Sequence, residues 1–488
     1  MSKIILINPN FSGLVFKSKN ASIPLGLSCI GSYLKKHGIK VKLIDYLTNS
    51  HGDNEIKREI LASDFVGLSV MTTQLHHALK ICDTIREMDK ELPIIFGGVH
   101  PTIFPYETIE DKVIDFVVVG EGEATTLDLI NTYQKGKKLC NVKGLLYKEN
   151  DKKIFTGTRP YVDIETIPPI DWTLFNQEML SKLDPIPIHT SRGCIHNCKF
   201  CINSITRNSF RHMSTKKILD ELEIIRRKFK NRKICFWDEN FFSVKKRVRE
   251  IVRGIIGRNL NIQWHTTCRA DYFSDYNIND VLFDQIKKSG CYRLSFGAES
   301  GSQRILDLIS KNITPEQIVN SAIKCKKHNI IPEYSFIIGL PSETRKDINL
   351  TIKLIYNLKK INPKAEIIGP QPFRPYPGSE LYEMCLTTGW KGPSTLRQWA
   401  YTMEREWNYL SPHNFPWIKN PNFIEALWPY ISYATASKDH MFESGIKINK
   451  FLKLLFISAA KTRWIINFFD FPIEYMFARL ISEKFYLS

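Results

Sequence analysis

Short apolar runs recur along the first part of the chain, at 4–7, 41–45, 65–70, 94–96 and 116–119. Each is β-branched and apolar at successive positions, which predicts strands covered on both faces. Between them, apolar residues repeat every three to four positions over 25–37, closed by Gly38, and over 74–90, followed by Pro93. These are helix patterns with a glycine or proline stop. The alternation predicts an α/β, doubly wound, Rossmann-like domain over residues 1–140, with ligands bound where its parallel strands end.

The pattern breaks over 141–185, where hairpin-like pieces at 144–148 and 153–156 precede Ile167-Pro168-Pro169, and a linker is expected there. Over 186–390 the alternation returns. Strands are expected at 187–191, 233–238, 262–267, 293–298, 333–338 and 366–372, and helices near 215–230, 244–258, 279–289, 315–328, 344–359 and 378–388. Such a series predicts a partial (β/α)6 barrel of the TIM type, with its active site at the carboxyl ends of the strands. Residues 391–488 read as mainly helical and aromatic, with Trp399, Trp407, Trp417, Trp428 and Trp464. From 441 onward Phe, Ile and Leu mix with Lys447, Lys450, Lys453, Lys461 and Arg463. That segment either makes peripheral contact with a membrane or caps the barrel mouth, and the second reading is preferred.

The 488 residues allow two or three domains with large cores. A formal charge of +18 fits an acidic partner, whether an anionic membrane, a phosphorylated substrate or an acidic redox protein, and equally fits a solvated lysine-rich surface. Nucleic acid is not expected as a partner. The opening MSKIILINPN reads as strand and turn, not as a secretory signal. The longest apolar stretches, such as 454–460, fall far short of the ~20 residues of a spanning helix. A cytoplasmic location is expected.

In a reducing compartment a tight cysteine cluster points to metal before disulfides. The cluster is Cys194, Cys198 and Cys201, in Cys194-Ile195-His196-Asn197-Cys198-Lys199-Phe200-Cys201 directly after the first strand of the βα series. Soft thiolates suit an iron–sulfur cluster or zinc. Structural zinc takes four protein ligands, and His196 is the obvious fourth. Three thiolates around four irons instead leave one iron open. The other cysteines, Cys29, Cys82, Cys140, Cys235, Cys268, Cys291, Cys325 and Cys385, fall in strand and helix patterns and read as small buried hydrophobes.

These residues resemble the radical S-adenosylmethionine superfamily, and the resemblance runs across 187–390. It implies a 4Fe–4S cluster on Cys194, Cys198 and Cys201, S-adenosylmethionine chelated to the open iron, and reductive cleavage to a 5′-deoxyadenosyl radical. It places Phe200 beside the adenine, and Asp238 and Glu239, in Phe236-Trp237-Asp238-Glu239-Asn240, on the methionyl ammonium. For the last two, rim solvation is the alternative. Glu299, in Gly297-Ala298-Glu299-Ser300-Gly301, is implied to bind the ribose or the amine, and Ser335 to Gly339 to form the adenine platform. There the acid falls one position late, at Glu343 after Ser342, which leaves its role open. Arg269 either meets the methionyl carboxylate or pairs with Asp271.

In the first domain three strand-end loops carry small or flexible residues: Thr72-Thr73-Gln74, Gly97-Gly98-Val99-His100 and Gly120-Glu121-Gly122. Glycines let backbone approach a flat ligand, and no G-x-G-x-x-G follows the first strand, which disfavours a dinucleotide. With Pro24-Leu25-Gly26-Leu27 these loops resemble the cobalamin-binding domain of B12-dependent radical S-adenosylmethionine enzymes, which include methylases and the anaerobic cyclase of bacteriochlorophyll synthesis. A flavodoxin-like domain without cofactor is the competing reading. The motif that donates a histidine to cobalt is absent, so His100 is read as a tail-pocket or loop residue.

The resemblance implies methyl transfer from methylcobalamin to an unactivated carbon, with a ferredoxin or flavodoxin as electron donor and a small molecule, lipid or peptide as substrate. The basic run Arg226-Arg227-Lys228, Lys230, Arg232 and Lys233 either docks that donor or is a solvated helix end. Alternatives are cyclisation or rearrangement without net methyl transfer, methylthiolation, which needs further cluster cysteines in the first domain, and a non-enzymatic sensor.

Overall fold

The computed structural model describes residues 2–11, 22–48, 52–206, 209–273, 278–406, 410, 414–435 and 450–486; Trp407 and Lys447 lie outside the described residues. Strands β1 (Lys3–Asn8), β2 (Lys40–Asp45), β3 (Phe65–Ser69), β4 (Ile94–Gly97), β5 (Phe116–Val118), β6 (Leu145–Glu149) and β7 (Lys152–Phe155) form one sheet in the order β2-β1-β3-β4-β5-β6-β7. The first five are parallel. From β1 the chain turns to β2 on one side and then to β3 on the other. The β1/β3 boundary is therefore the topological switch point, where the loops that follow the strands part to admit a ligand.

The hairpin-like pieces expected within 141–185 form the hairpin β6–β7, which joins the first sheet. It pairs antiparallel to β5, with Leu145, Leu146 and Tyr147 buried. An uncovered parallel edge leaves backbone donors and acceptors unsatisfied, and the hairpin supplies the missing partner. The first sheet therefore extends past residue 140 to Phe155.

The second sheet contains β8 (Ile186–Ile188), β11 (Lys233–Phe236), β12 (Gln263–Cys268), β13 (Cys291–Glu299), β14 (Ile331–Ile338) and β15 (Glu366–Pro372), all parallel, in the order β15-β14-β13-β12-β11-β8. A short antiparallel brace, β9 (Ser191–Arg192) with β10 (Arg211–His212), flanks the cysteine loop. β14 alternates buried and half-buried residues along its length. One face packs on helices and the other lines the open barrel. Helices begin where Ser214, Thr314 and Thr344 cap them, the last two as reciprocal boxes with Gln317 and Asp347.

The C-terminal region has two tasks. Helix Leu396–Tyr401 packs back on helix Leu75–Met88 and on Thr72–Gln74 of the first sheet. Arg397 fastens it there through Asp83 (2.8 Å) and Asp111 (2.7 Å). Helix Pro421–Thr435 covers β15, the edge of the barrel sheet, and carries helices Lys450–Ile466 and Ile473–Tyr486 on its outer side. Among the described residues no helix is long and apolar enough to cross a membrane.

Candidate functional site

The cysteine loop leaves β8 at Ile188 and is tied down at once by Asp238, at the end of β11. That carboxylate accepts from Thr190 N (2.6 Å), Thr190 Oγ1 (2.6 Å), Ser191 N (3.1 Å) and Ser191 Oγ (2.6 Å), and pairs with Arg247 at 3.1 Å. Its side chain is fully buried. Asp238 is thus committed to anchoring the loop. Glu239, one residue on, is exposed at the same strand end. Desolvation raises its carboxyl, against the hydrogen bonds it accepts from its own backbone N–H and from that of Gly193.

Each cysteine sulfur faces a nitrogen donor. Asn240 Nδ2 lies 3.7 Å from Cys194 Sγ, Arg269 Nη1 3.9 Å from Cys198 Sγ, and Asn203 Nδ2 3.8 Å from Cys201 Sγ. Burial raises the Cys198 thiol while Lys311 and Arg269 pull it down. Among the described residues no three His, Cys, Asp or Glu side chains gather as ligands of one ion. His196, the fourth zinc candidate, is engaged with Tyr272 Oη at 2.8 Å, and that hydroxyl accepts from Asn240 at 2.7 Å. Three thiols with N–H donors aimed at them fit a negatively charged iron–sulfur cluster, whose charge such bonds stabilise.

Arg269 does not await a carboxylate. It bonds Asp271 at 3.0 and 3.3 Å and the Lys311 carbonyl at 2.6 Å, and its remaining reach is toward Cys198. Glu299, at the end of β13, sits at φ +62° with Oε1 2.7 Å from Lys311 Nζ. Lys311, which the sequence pattern did not mark, also lies 5.7 Å from the centre of the Phe200 ring. Phe200, Glu299 and the cysteine loop therefore meet through one buried lysine. Ser335 stands opposite Gly297 on β14 and donates to the Phe296 carbonyl.

The doubtful acid finds its place at the next turn. Glu343 Oε2 accepts from Gly339 N (2.5 Å) and Leu340 N (3.1 Å), closing the turn after β14. Its other oxygen is buried without a hydrogen-bond partner, and burial pushes the carboxyl up to about 7. Trp417 Nε1 donates to the Gly339 carbonyl at 2.9 Å, so the C-terminal region reaches the barrel mouth.

In the first sheet, Thr72 Oγ1 and His100 Nδ1 are 3.1 Å apart. His100 is fully buried between the Phe104 and Trp399 rings, and burial lowers its pKa to about 3. A neutral ring enclosed in this way supports Thr72 from behind. Gln74 is bound into the framework: it donates to Asn8 Oδ1 (3.0 Å) and the Pro9 carbonyl (2.7 Å) and accepts from Met71 N (3.0 Å). Thr73 stays half-buried at the rim. Gly97 continues the ladder, accepting from Val70 N. Gly98 has φ +100°, and a Cβ there would stand 2.7 Å from Val70 N, so only glycine lets the fourth loop cross the third. Thr102 Oγ1 joins that loop to the fifth, donating to Gly98 O (2.7 Å) and accepting from Gly120 N (3.0 Å). Gly122 serves packing, since a Cβ would stand 2.8 Å from Ile30 Cδ1.

The two sheets meet through charge. Arg192, two residues before Cys194, pairs with Glu123 at 2.6 Å and with Glu121 at 3.4 Å, and Glu121 also pairs with Arg211. Glu121 thereby takes part in the domain seam. Burial raises the Glu123 carboxyl, but Arg192 outweighs it and holds the group below its ordinary range. At Gly378, Ile103 of the first domain and Ile205 behind the cysteine loop both close on one backbone position. Apolar Met71 and Val99 on one set of strand-end loops, and Ile195 and Trp237 on the other, stay exposed. Exposed apolar side chains beside glycines at strand ends suit contact with a large flat cofactor. The basic run is at the other end: Arg226, Arg227 and Lys228 close helix Thr215–Lys228 ahead of β11, opposite the cysteine loop.

The B12 binding domain family matches residues 12–130, and the radical SAM superfamily matches 188–355. An uncharacterized methyltransferase of Pyrococcus horikoshii is 31% identical over 410 residues, which is 81% of this chain and 87% of that one. The anaerobic magnesium-protoporphyrin IX monomethyl ester cyclase of Rubrivivax gelatinosus is 26% identical over 395 residues, 78% of this chain and 69% of that one. Among solved structures, the radical S-adenosylmethionine methyltransferase TsrM of Kitasatospora setae, with cobalamin and a 4Fe–4S cluster bound, superposes with a TM-score of 0.65 over 80% of each chain at 17% identity.

Two outcomes are expected. Glu123→Gln strands the buried Arg192 charge, which costs about 3–5 kcal/mol when a buried pair is broken; iron retained per chain and thermal midpoint should both fall, and should fall less in Glu121→Gln. Glu343 has its folded pKa raised from 4.5 to about 7, so its contribution to stability is full below the unfolded value and is lost as pH rises through about 7. Urea unfolding across that window should therefore show wild type losing ground to Glu343→Gln as pH rises, whereas a constant gap would rule the assignment out.

Proposed function

The chain belongs to the cobalamin-dependent radical S-adenosylmethionine methyltransferase family, and on that footing we propose that it methylates an unactivated carbon of a small-molecule, lipid or peptide substrate. The observation that carries this reading is the Arg192–Glu123 pair, which fastens the cysteine loop to the fifth strand-end loop of the B12-type sheet. Two cofactors that act on one carbon need their reactive ends held together, and this contact supports that arrangement.

When bound, the cluster supplies the electron that splits S-adenosylmethionine, and cobalamin supplies a transferable methyl group. The chain's own residues do the holding. Cys194, Cys198 and Cys201 ligate the cluster. Glu239 and Glu299 accept the ammonium and ribose hydrogen bonds, Phe200 and the Ser335–Gly339 strand edge face the adenine, and Thr72, Thr73, Gly97, Gly98 and Gly120 border the corrin. Helix Leu396–Tyr401 over Thr72 and Trp417 over Gly339 exclude water from the two ends.

We place the enzyme in the cytoplasm, a reading supported by its free cysteines. An acidic ferredoxin or flavodoxin serves as electron donor. The similarity to the Rubrivivax gelatinosus cyclase supports a second reading, ring closure without net methyl transfer.

Anaerobic reconstitution with iron, sulfide and hydroxocobalamin tests the proposal. Wild type should retain cobalamin, release 5′-deoxyadenosine under reductant, and pass label from methyl-labelled S-adenosylmethionine into product. Cys198→Ala should keep cobalamin and lose iron and 5′-deoxyadenosine. Unlabelled product would favour the cyclase reading, and failure to hold cobalamin would end the methylase one.

A further inference from the structure

The helical hairpin formed by Lys450–Ile466 and Ile473–Tyr486 uses one face fully and leaves the other bare. Inward, Phe456 stacks on Tyr430 at 5.2 Å, Tyr475 Oη donates to Glu425 at 3.1 Å, and Arg479 pairs with Glu425 at 2.8 Å. Outward, Ile465 is 76% exposed, Phe471 75% and Ile473 69%, with Ile466, Phe477 and Leu480 all above half. Scattered surface apolar residues need no explanation, but a contiguous group of this kind on a soluble chain marks a contact surface.

The tip is built to hold that group out. Phe471 adopts φ +51°, a left-handed conformation that costs free energy in any aromatic residue. Arg463 holds it there: its guanidinium donates to the carbonyls of Phe468 (3.4 Å), Asp470 (2.8 Å) and Phe471 (2.9 Å) while pairing with Glu474 at 2.7 Å. The charges along the hairpin are one-sided. Asp470 is neutralised by Arg345 and Glu474 by Arg463, whereas Lys453 and Lys461 have no acidic partner among the described residues. Helix Lys450–Ile466 spans 17 residues, short of the ~20 needed to cross a bilayer.

We infer that this hairpin is a peripheral docking surface for an anionic lipid bilayer, lying in the headgroup plane with Ile465, Phe471 and Ile473 inserted and Lys453 and Lys461 on the lipid phosphates. An exposed apolar face on a helix whose lysines meet no acid among the described residues is the chemistry such a surface recognises. The inference rests on the hairpin alone and is independent of the reaction proposed above.

Flotation of the full chain with phosphatidylcholine vesicles, and with vesicles of phosphatidylcholine and phosphatidylglycerol, tests it. Binding should require the anionic lipid and weaken with salt. Lys453→Gln and Lys461→Gln should each lower partitioning about five-fold. Phe471→Gly should lower it on the order of ten-fold, the loss of one inserted ring. The same change relieves the backbone, so its thermal midpoint should not drop, whereas a merely structural Phe471 would lower the midpoint and leave partitioning unmoved. The inference is overturned if neither vesicle is bound, if binding ignores both salt and lysines, or if light scattering finds a dimer that Phe471→Gly dissociates, since a second copy would then cover the face.

Discussion

A guanidinium taken out of water needs its charge matched where it sits, and at the seam between the two sheets that requirement falls on Arg192. It is met from the other domain, by Glu123 at 2.6 Å with Glu121 behind it. Both acids stand at the start of helix Gly122–Gln134, where a helix amino terminus also favours negative charge. Because Arg192 is two residues from Cys194, the position of the cysteine loop depends on a helix of the B12-type sheet. Cys29 Sγ and His189 Nδ1, 3.6 Å apart across the same seam, extend the contact with a second, part-buried pair.

Within the barrel, a single carboxylate does for the loop what the seam does for the domains. Asp238 gathers four hydrogen bonds from Thr190 and Ser191 and the charge of Arg247, and so fixes where the chain begins its turn around the cluster. Beyond that anchor the sulfurs meet donors from three different places in the chain: Asn203 close by, Asn240 from the loop after β11 and Arg269 from just after β12. Donors to sulfur lower the energy of the negative cluster and tune its potential. These residues therefore bear on the redox chemistry as well as on the fold. The C-terminal region completes the enclosure from outside, clamped to the first domain by Arg397 and reaching the barrel through Trp417.

Much of the architecture follows from local pattern. Strand periodicity, glycine and proline stops and helix caps are short-range effects, so the parallel strands of both sheets and the barrel helices were expected close to where they lie. The cysteine spacing likewise brings three thiols onto one loop with little help from the rest of the chain. The hairpin at Leu145–Phe155 was legible as a hairpin, but not as a sheet edge, because its partner β5 is chosen by packing.

The sequence by itself thus determined the class of each domain, the order of its elements and the identity of the cluster loop, since these depend on neighbours a few residues apart. Only the tertiary structure decided which polar groups remain free to bind anything. Asp238, Gln74 and Glu121 carry suitable chemistry at suitable strand ends, yet each is satisfied by partners tens of residues away. Glu239 keeps its exposure, while Lys311 acquires its position only when Glu299 and Phe200 converge on it. A side chain's availability depends on desolvation and competing hydrogen bonds, and both are set by long-range packing that no local pattern contains.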